Sequence, residues 1–263
     1  MSSRLVLSIV ALAAPTGACS SEHLDAHASR STAPPRPSAT AFVVVGVTVE
    51  LCDACVRAAR DARIDLEEVI GGALRRAASL LPDVVTRVSV DVDPGGAIPG
   101  IGVGGYTDPT SGTVSISLDL SVVRLDRTLR VWLPQELAHE LDHTARIQVG
   151  PGYGSSLLEA MTSEGMADAF SIQCFPETPR IPWDHALTKE QERAAWADAR
   201  RRLGEFDDHA EWFFGSGDLP RWAGYTLGFD IVSGYLRRHP ALSAADLVTT
   251  DAETILRGSG FPR

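Results

Sequence analysis

The spacing of apolar residues divides the chain into an early part with strand periodicity and a late part with helical periodicity. Residues 42–49 are dense in valine and β-branched, which predicts a strand. From 55 to 81 the apolar positions Ile64, Leu66, Val69, Ile70, Ala73, Leu74, Ala77, Leu80 and Leu81 recur at helical spacing. That pattern stops before Pro82, because a proline pushes its predecessor out of the helical region. Residues 84–92 and 113–118 alternate as half-buried strands do, and a Gly/Pro-rich stretch over 94–112 separates them. The rest of the chain is helical in pattern, over about 134–148, 155–174, 188–205 and 221–238, with two short pieces after Ser243. Strands first and helices later imply an α+β fold: a small N-terminal sheet, then a mostly helical region.

The first 40 residues lie outside this pattern. Arg4 gives a small positive start, residues 5–14 are apolar, and small residues lead to Cys19. This predicts a signal peptide over 1–18 and export. Gly17-Ala18-Cys19 resembles a bacterial lipobox, with Thr16 where leucine is usual. It predicts a lipid anchor on Cys19 and a membrane-held lipoprotein facing the extracytoplasmic side; the other reading is cleavage nearby that leaves Cys19 free. Residues 19–40, rich in Ser, Ala and Pro, predict a flexible tether in which His23 and His27 are solvated, followed by a folded domain over 41–263.

Composition narrows the partners. With 263 residues and 44% apolar content the chain can bury a core of normal size. A net charge of −10 argues against nucleic acid, whose phosphates need clustered Lys and Arg. In an exported protein Cys52 and Cys55 imply a disulfide, either between themselves or with Cys174. No second Cys-x-x-Cys exists to complete a four-cysteine zinc site.

The chemistry centres on His139-Glu140-Leu141-Asp142-His143. Residues i and i+4 of a helix lie about 40° apart around the axis and about 6 Å apart along it. His139 and His143 can therefore aim two imidazoles at one Zn2+, with Glu140 placed as general base. Residues 135–148 hold no Gly or Pro, and Pro134 suits a first turn. A catalytic zinc takes three protein ligands and keeps one position open. Glu164, 21 residues after His143, is the candidate third ligand, and Asp168 lies one turn beyond it. The gluzincin, thermolysin-like class has this arrangement, with an Asp that hydrogen-bonds a ligand histidine. Glu159 competes as ligand, but its i+4 residue is Ser163 and not a carboxylate.

These segments, with the later runs IPWDHAL, EWFFG and LPRWAGYTLGFDIVSGYL, resemble over residues 100–263 an uncharacterised bacterial family of predicted zinc-dependent proteases. The resemblance implies a gluzincin-like fold, with Glu164 as third ligand. The oxyanion donor is open: Tyr225, between Gly224 and Gly228, is the leading candidate, with His185 and His209 as alternatives. Tyr225 could equally be a packing residue. His239, before Pro240, predicts a helix C-cap. By analogy with such peptidases, strand 113–118 is expected to be an edge that binds the backbone of a peptide or protein substrate. The expected function is zinc-dependent peptide hydrolysis outside the cytoplasm. The competing readings are hydrolysis of a non-peptide amide and a zinc-binding lipoprotein with a scaffold role.

Overall fold

The computed structural model describes residues 40–205 and 208–261. The expected signal peptide, nearly all of the tether, His23, His27 and the candidate lipidation site Cys19 lie outside the described residues. The architecture is α+β: a five-stranded mixed sheet formed early in the chain, followed by a mostly helical remainder.

Residues 42–49 do not form one strand. Val45 and Gly46 both take positive φ, 44° and 82°, and make a tight turn. The result is an antiparallel hairpin of β1 (Thr40–Val44) and β2 (Val47–Leu51). The predicted helix over 55–81 is likewise two helices, α1 (Asp53–Asp61) and α2 (Leu66–Ala78). Arg63 at φ 57° breaks the first, and Asp65 caps the second by accepting from Glu68 N–H. Apolar periodicity continued across this break because both helices press the same kind of face onto the sheet. Cys52 and Cys55 are disulfide-bonded at the start of α1, and Cys174 is a buried free thiol.

After α1 and α2 the chain returns as β3 (Thr86–Val92), parallel to β2. β5 (Val114–Leu118) then lies parallel to β3, and β4 (Val103–Thr107) pairs antiparallel with β5. The order is therefore β1-β2-β3-β5-β4. This corrects the expected edge: residues 113–118 are interior to the sheet, and the edge is β4, inside the Gly/Pro-rich stretch. Glycines weaken the strand signal in sequence, but here they serve close approach of other groups to the backbone.

A helical turn α3 (Leu125–Arg127) and a π-helical turn over Thr128–Trp132 lead directly into α4 (Leu133–Val149). α5 (Leu157–Cys174) follows, then α6 (Lys189–Arg202), α7 (His209–Phe214), α8 (Ala223–Arg238) and α9 (Ala252–Ser259). His239 caps α8, with its ring nitrogen Nδ1 2.8 Å from Tyr235 O. Val88, Val90, Ile116 and Leu118 of the sheet share one core with Ile70 and Leu74 of α2 and Leu133, Leu137 and Leu141 of α4. α4 packs on β4, β5 and α2, and α5 lies against both α4 and α8.

The α5–α8 contact is unusually close. A Cβ on Gly165 would meet the Gly228 carbonyl, and one on Gly228 would meet the Met161 carbonyl. Only hydrogen at these two positions lets the helix backbones approach this far, and the approach draws α8 toward Glu164. Gly228→Ala gains a little helix propensity but overpacks the contact. We expect a net loss of about 1–3 kcal/mol, measured by chemical denaturation.

Candidate metal centre

Three side chains from two helices converge. His139 and His143 come from successive turns of α4, and Glu164 from the middle of α5. All three are buried, and their ligating atoms lie within 4.8 Å of one another. His139 Nε2 is 3.1 Å from Glu164 Oε2, His143 Nε2 is 3.5 Å from the same oxygen, and the two Nε2 atoms are 3.1 Å apart. Zinc bonds of about 2.0–2.1 Å in tetrahedral geometry place neighbouring ligand atoms about 3.3 Å apart. The observed triangle fits such an ion.

The surrounding groups fix which nitrogen is free. His139 Nδ1–H donates to Asp168 Oδ1 at 3.0 Å, and His143 Nδ1 lies 3.3 Å from Ser163 Oγ. Both rings therefore turn Nε2 toward Glu164. Asp168 Oδ1 accepts a second bond, from Trp183 Nε1–H at 3.1 Å. The Trp183 segment is anchored in turn to α8, where Thr226 Oγ1–H donates to Trp183 O at 2.7 Å. Tyr153 O–H donates to Glu164 Oε1 at 2.8 Å, so both carboxylate oxygens are engaged. Burial alone would raise the Glu164 pKa, but His143 and His139 hold its carboxyl well below the ordinary range. Burial wins at Asp168, whose carboxyl is raised despite the bonds from His139 and Trp183.

Glu140 lies beside this triangle, against the sheet edge. Thr107 Oγ1–H on β4 donates to its Oε2 at 2.5 Å. Its side chain passes over Gly105, where any Cβ would collide with the carboxylate. Burial, together with Glu136 and Glu164, pushes the Glu140 carboxyl up to about 8. A cavity opens onto the group, lined by Gly105, Thr107, Glu140, Tyr153, His209 and Tyr225 among others.

The other anticipated residues sort as follows. Glu159 is not at the triangle; it closes a capping box at the start of α5 with Ser156. Tyr225 is buried and lines the cavity beside His139. Burial and the carboxylates of Glu164, Asp168, Glu136 and Glu140 raise its pKa well above the ordinary value, so its phenol keeps its proton. His209 lines the cavity and stacks on Phe213 with ring centroids 4.2 Å apart. His185 lines neither this cavity nor its neighbour, and its Nδ1 bonds the Asp184 carboxylate. Tyr153, Trp183 as a partner of Asp168, Thr107 and Glu136 were not singled out for these roles in the sequence.

Residues 109–257 match the model of the family described as Predicted Zn-dependent protease (DUF2268). The chain belongs to this family. The matched residues contain His139, Glu140, His143, Glu164 and Asp168, and begin just after β4. Over 126 residues the chain is 30% identical to Uncharacterized protein YjaZ of Bacillus subtilis (strain 168), covering 46% of this chain and 48% of that protein. The chain thus spans about half the length of this curated relative. No solved structure matches.

Two outcomes follow for metal binding by this family member. Glu164→Gln should lose stoichiometric zinc, while Glu159→Ala should keep it and lose about 1 kcal/mol of stability with its cap, as metal analysis and thermal melting will show. Trp183→Phe keeps an aromatic ring but removes the N–H on Asp168; its zinc affinity, read by chelator competition, should fall by about tenfold.

Proposed function

We propose that the chain is a zinc peptidase that hydrolyses peptide bonds in the cleft between β4 and α4. The observation that carries this reading is the triangle of His139 Nε2, His143 Nε2 and Glu164 Oε2, at 3.1–3.5 Å spacing, with the carboxylate of Glu140 beside it. Bound zinc would supply Lewis acidity, acidifying water and polarising a carbonyl.

The chain's own groups would do the rest. Thr107 holds Glu140 Oε2, which leaves Oε1 to take the proton of the attacking water and pass it to the leaving amine. Asp168 and Trp183 hold His139 in one orientation, and Ser163 steadies His143. Tyr225, protonated and facing the cleft, is the donor we assign to the developing oxyanion. Tyr153, tied to Glu164, stands on the opposite flank. The edge of β4 at Thr107, beyond the Gly105 N–H that Glu136 occupies, would offer an extended substrate a strand to pair with. Export, with a lipid anchor on Cys19, belongs to the same proposal: the enzyme would work outside the cytoplasm, held at a membrane.

Glu140→Gln decides the matter. The variant should bind zinc like the parent and cleave a fluorogenic peptide library at least about 10²-fold more slowly. A zinc-free chain as active as the loaded one, or full activity in the variant, would refute the reading.

A further inference from the structure

A second cavity adjoins the metal cleft and shares His139 and Tyr225 with it. Its other walls are largely aromatic: Trp183, Phe214 and Trp222. Ala97, Ile98 and Pro99 close one end. There Ile98 N–H donates to Val103 O at 3.1 Å, so this end of the β4 edge is already paired. The cavity is therefore placed to take one side chain or one chain end, not a continuing strand.

Glu136 is the only carboxylate among the described residues of the lining. It is 7% exposed; the Gly105 backbone N–H bonds it, and among the described residues no Lys or Arg pairs with it. The one cation of the described lining, Arg221, is exposed and sits over the Trp222 ring, 4.6 Å from its centroid. Trp222 itself is held at φ 69°, a strained conformation for a bulky residue. A carboxylate buried without a counter-charge is costly. Here it sits beside Glu140, Glu164 and Asp168, whose carboxyls add to that cost. Aromatic faces next to a carboxylate favour a cation.

We propose that this cavity is a subsite for a positively charged group of the substrate, with Glu136 as its specificity residue. The inference rests on the peptidase reading for the source of that group: a lysine or arginine side chain near the scissile bond, or the free N-terminal ammonium. Apolar and acidic groups at the same place leave Glu136 uncompensated and bind less well.

Binding to the full chain carrying Glu140→Gln, loaded with zinc, tests this without turnover. Three alanine-based peptides of equal length serve as probes, each amidated at its C-terminus. The first is N-acetylated with a lysine at its centre, the second is N-acetylated with norleucine there, and the third is the norleucine peptide with a free amino terminus. Calorimetry should show the lysine peptide or the free-amine peptide binding at least about tenfold more tightly than the acetylated norleucine peptide. Which of the two gains identifies the source of the charge. Adding Glu136→Gln should erase the difference while zinc content stays at one per chain. Equal affinities, tighter binding of acetylated norleucine, no binding by any probe, or a preference that survives Glu136→Gln overturns the proposal. If charged peptides bind selectively but the parent chain cleaves no peptide, the peptidase reading falls and the subsite stands.

Discussion

Four largely buried carboxyl groups are packed around one histidine. Glu136, Glu140, Glu164 and Asp168 are each 7% exposed or less, and all act on the buried phenol of Tyr225. Like charges at short range in a poorly polarisable interior repel strongly, and each also loses its hydration. The fold tolerates them by giving each a specific partner. The Gly105 N–H serves Glu136, Thr107 serves Glu140, Tyr153 and the histidines serve Glu164, and His139 with Trp183 serves Asp168. A divalent cation among His139, His143 and Glu164 would relieve most of the remaining repulsion. Metal binding should therefore contribute to the stability of this region and not only to its chemistry.

The same constraint accounts for the helix packing. For Glu164 and Asp168 to reach His139, α5 must lie close along α4, and for Tyr225 to face them α8 must lie close along α5. Gly165 and Gly228 make the second approach possible by removing the side chains that would hold the backbones apart. Gly105 does the corresponding thing on the sheet side, where Glu140 passes over the strand. Small residues at these crossings are thus part of the site's geometry, although none of them touches the metal position.

Around the centre the cleft is asymmetric. On one side β4 presents Gly105 and Thr107 to open space beside Glu140, Tyr153 and His209. On the other, the segment containing Ala97 to Pro99 closes over the strand, and aromatic rings enclose Glu136. A substrate would meet an open groove on one flank of the candidate metal site and a bounded, aromatic pocket holding Glu136 on the other.

The sequence by itself pointed to the candidate metal-binding group and to strands early and helices late. His139, Glu140 and His143 follow from helix periodicity alone, and Glu164 with Asp168 from the i, i+4 spacing of the next helix. These are local relations, set by 3.6 residues per turn, and they survive into the structure with little change. Relations across the fold were decided by tertiary structure. The hairpin turn at Val45-Gly46 and the break at Arg63 depend on positive φ, which apolar periodicity does not record. β4 lies at the edge, where Gly104 and Gly105 let other groups approach its backbone, while the clean alternation of 113–118 marked a strand without saying where in the sheet it lay. Glu159 and Glu164 are both carboxylates on α5, yet one caps the helix and the other faces the histidines. Trp183, Tyr153 and Glu136 reach the site from separate segments. Chain spacing says nothing about such meetings, because they are made by the packing of whole elements.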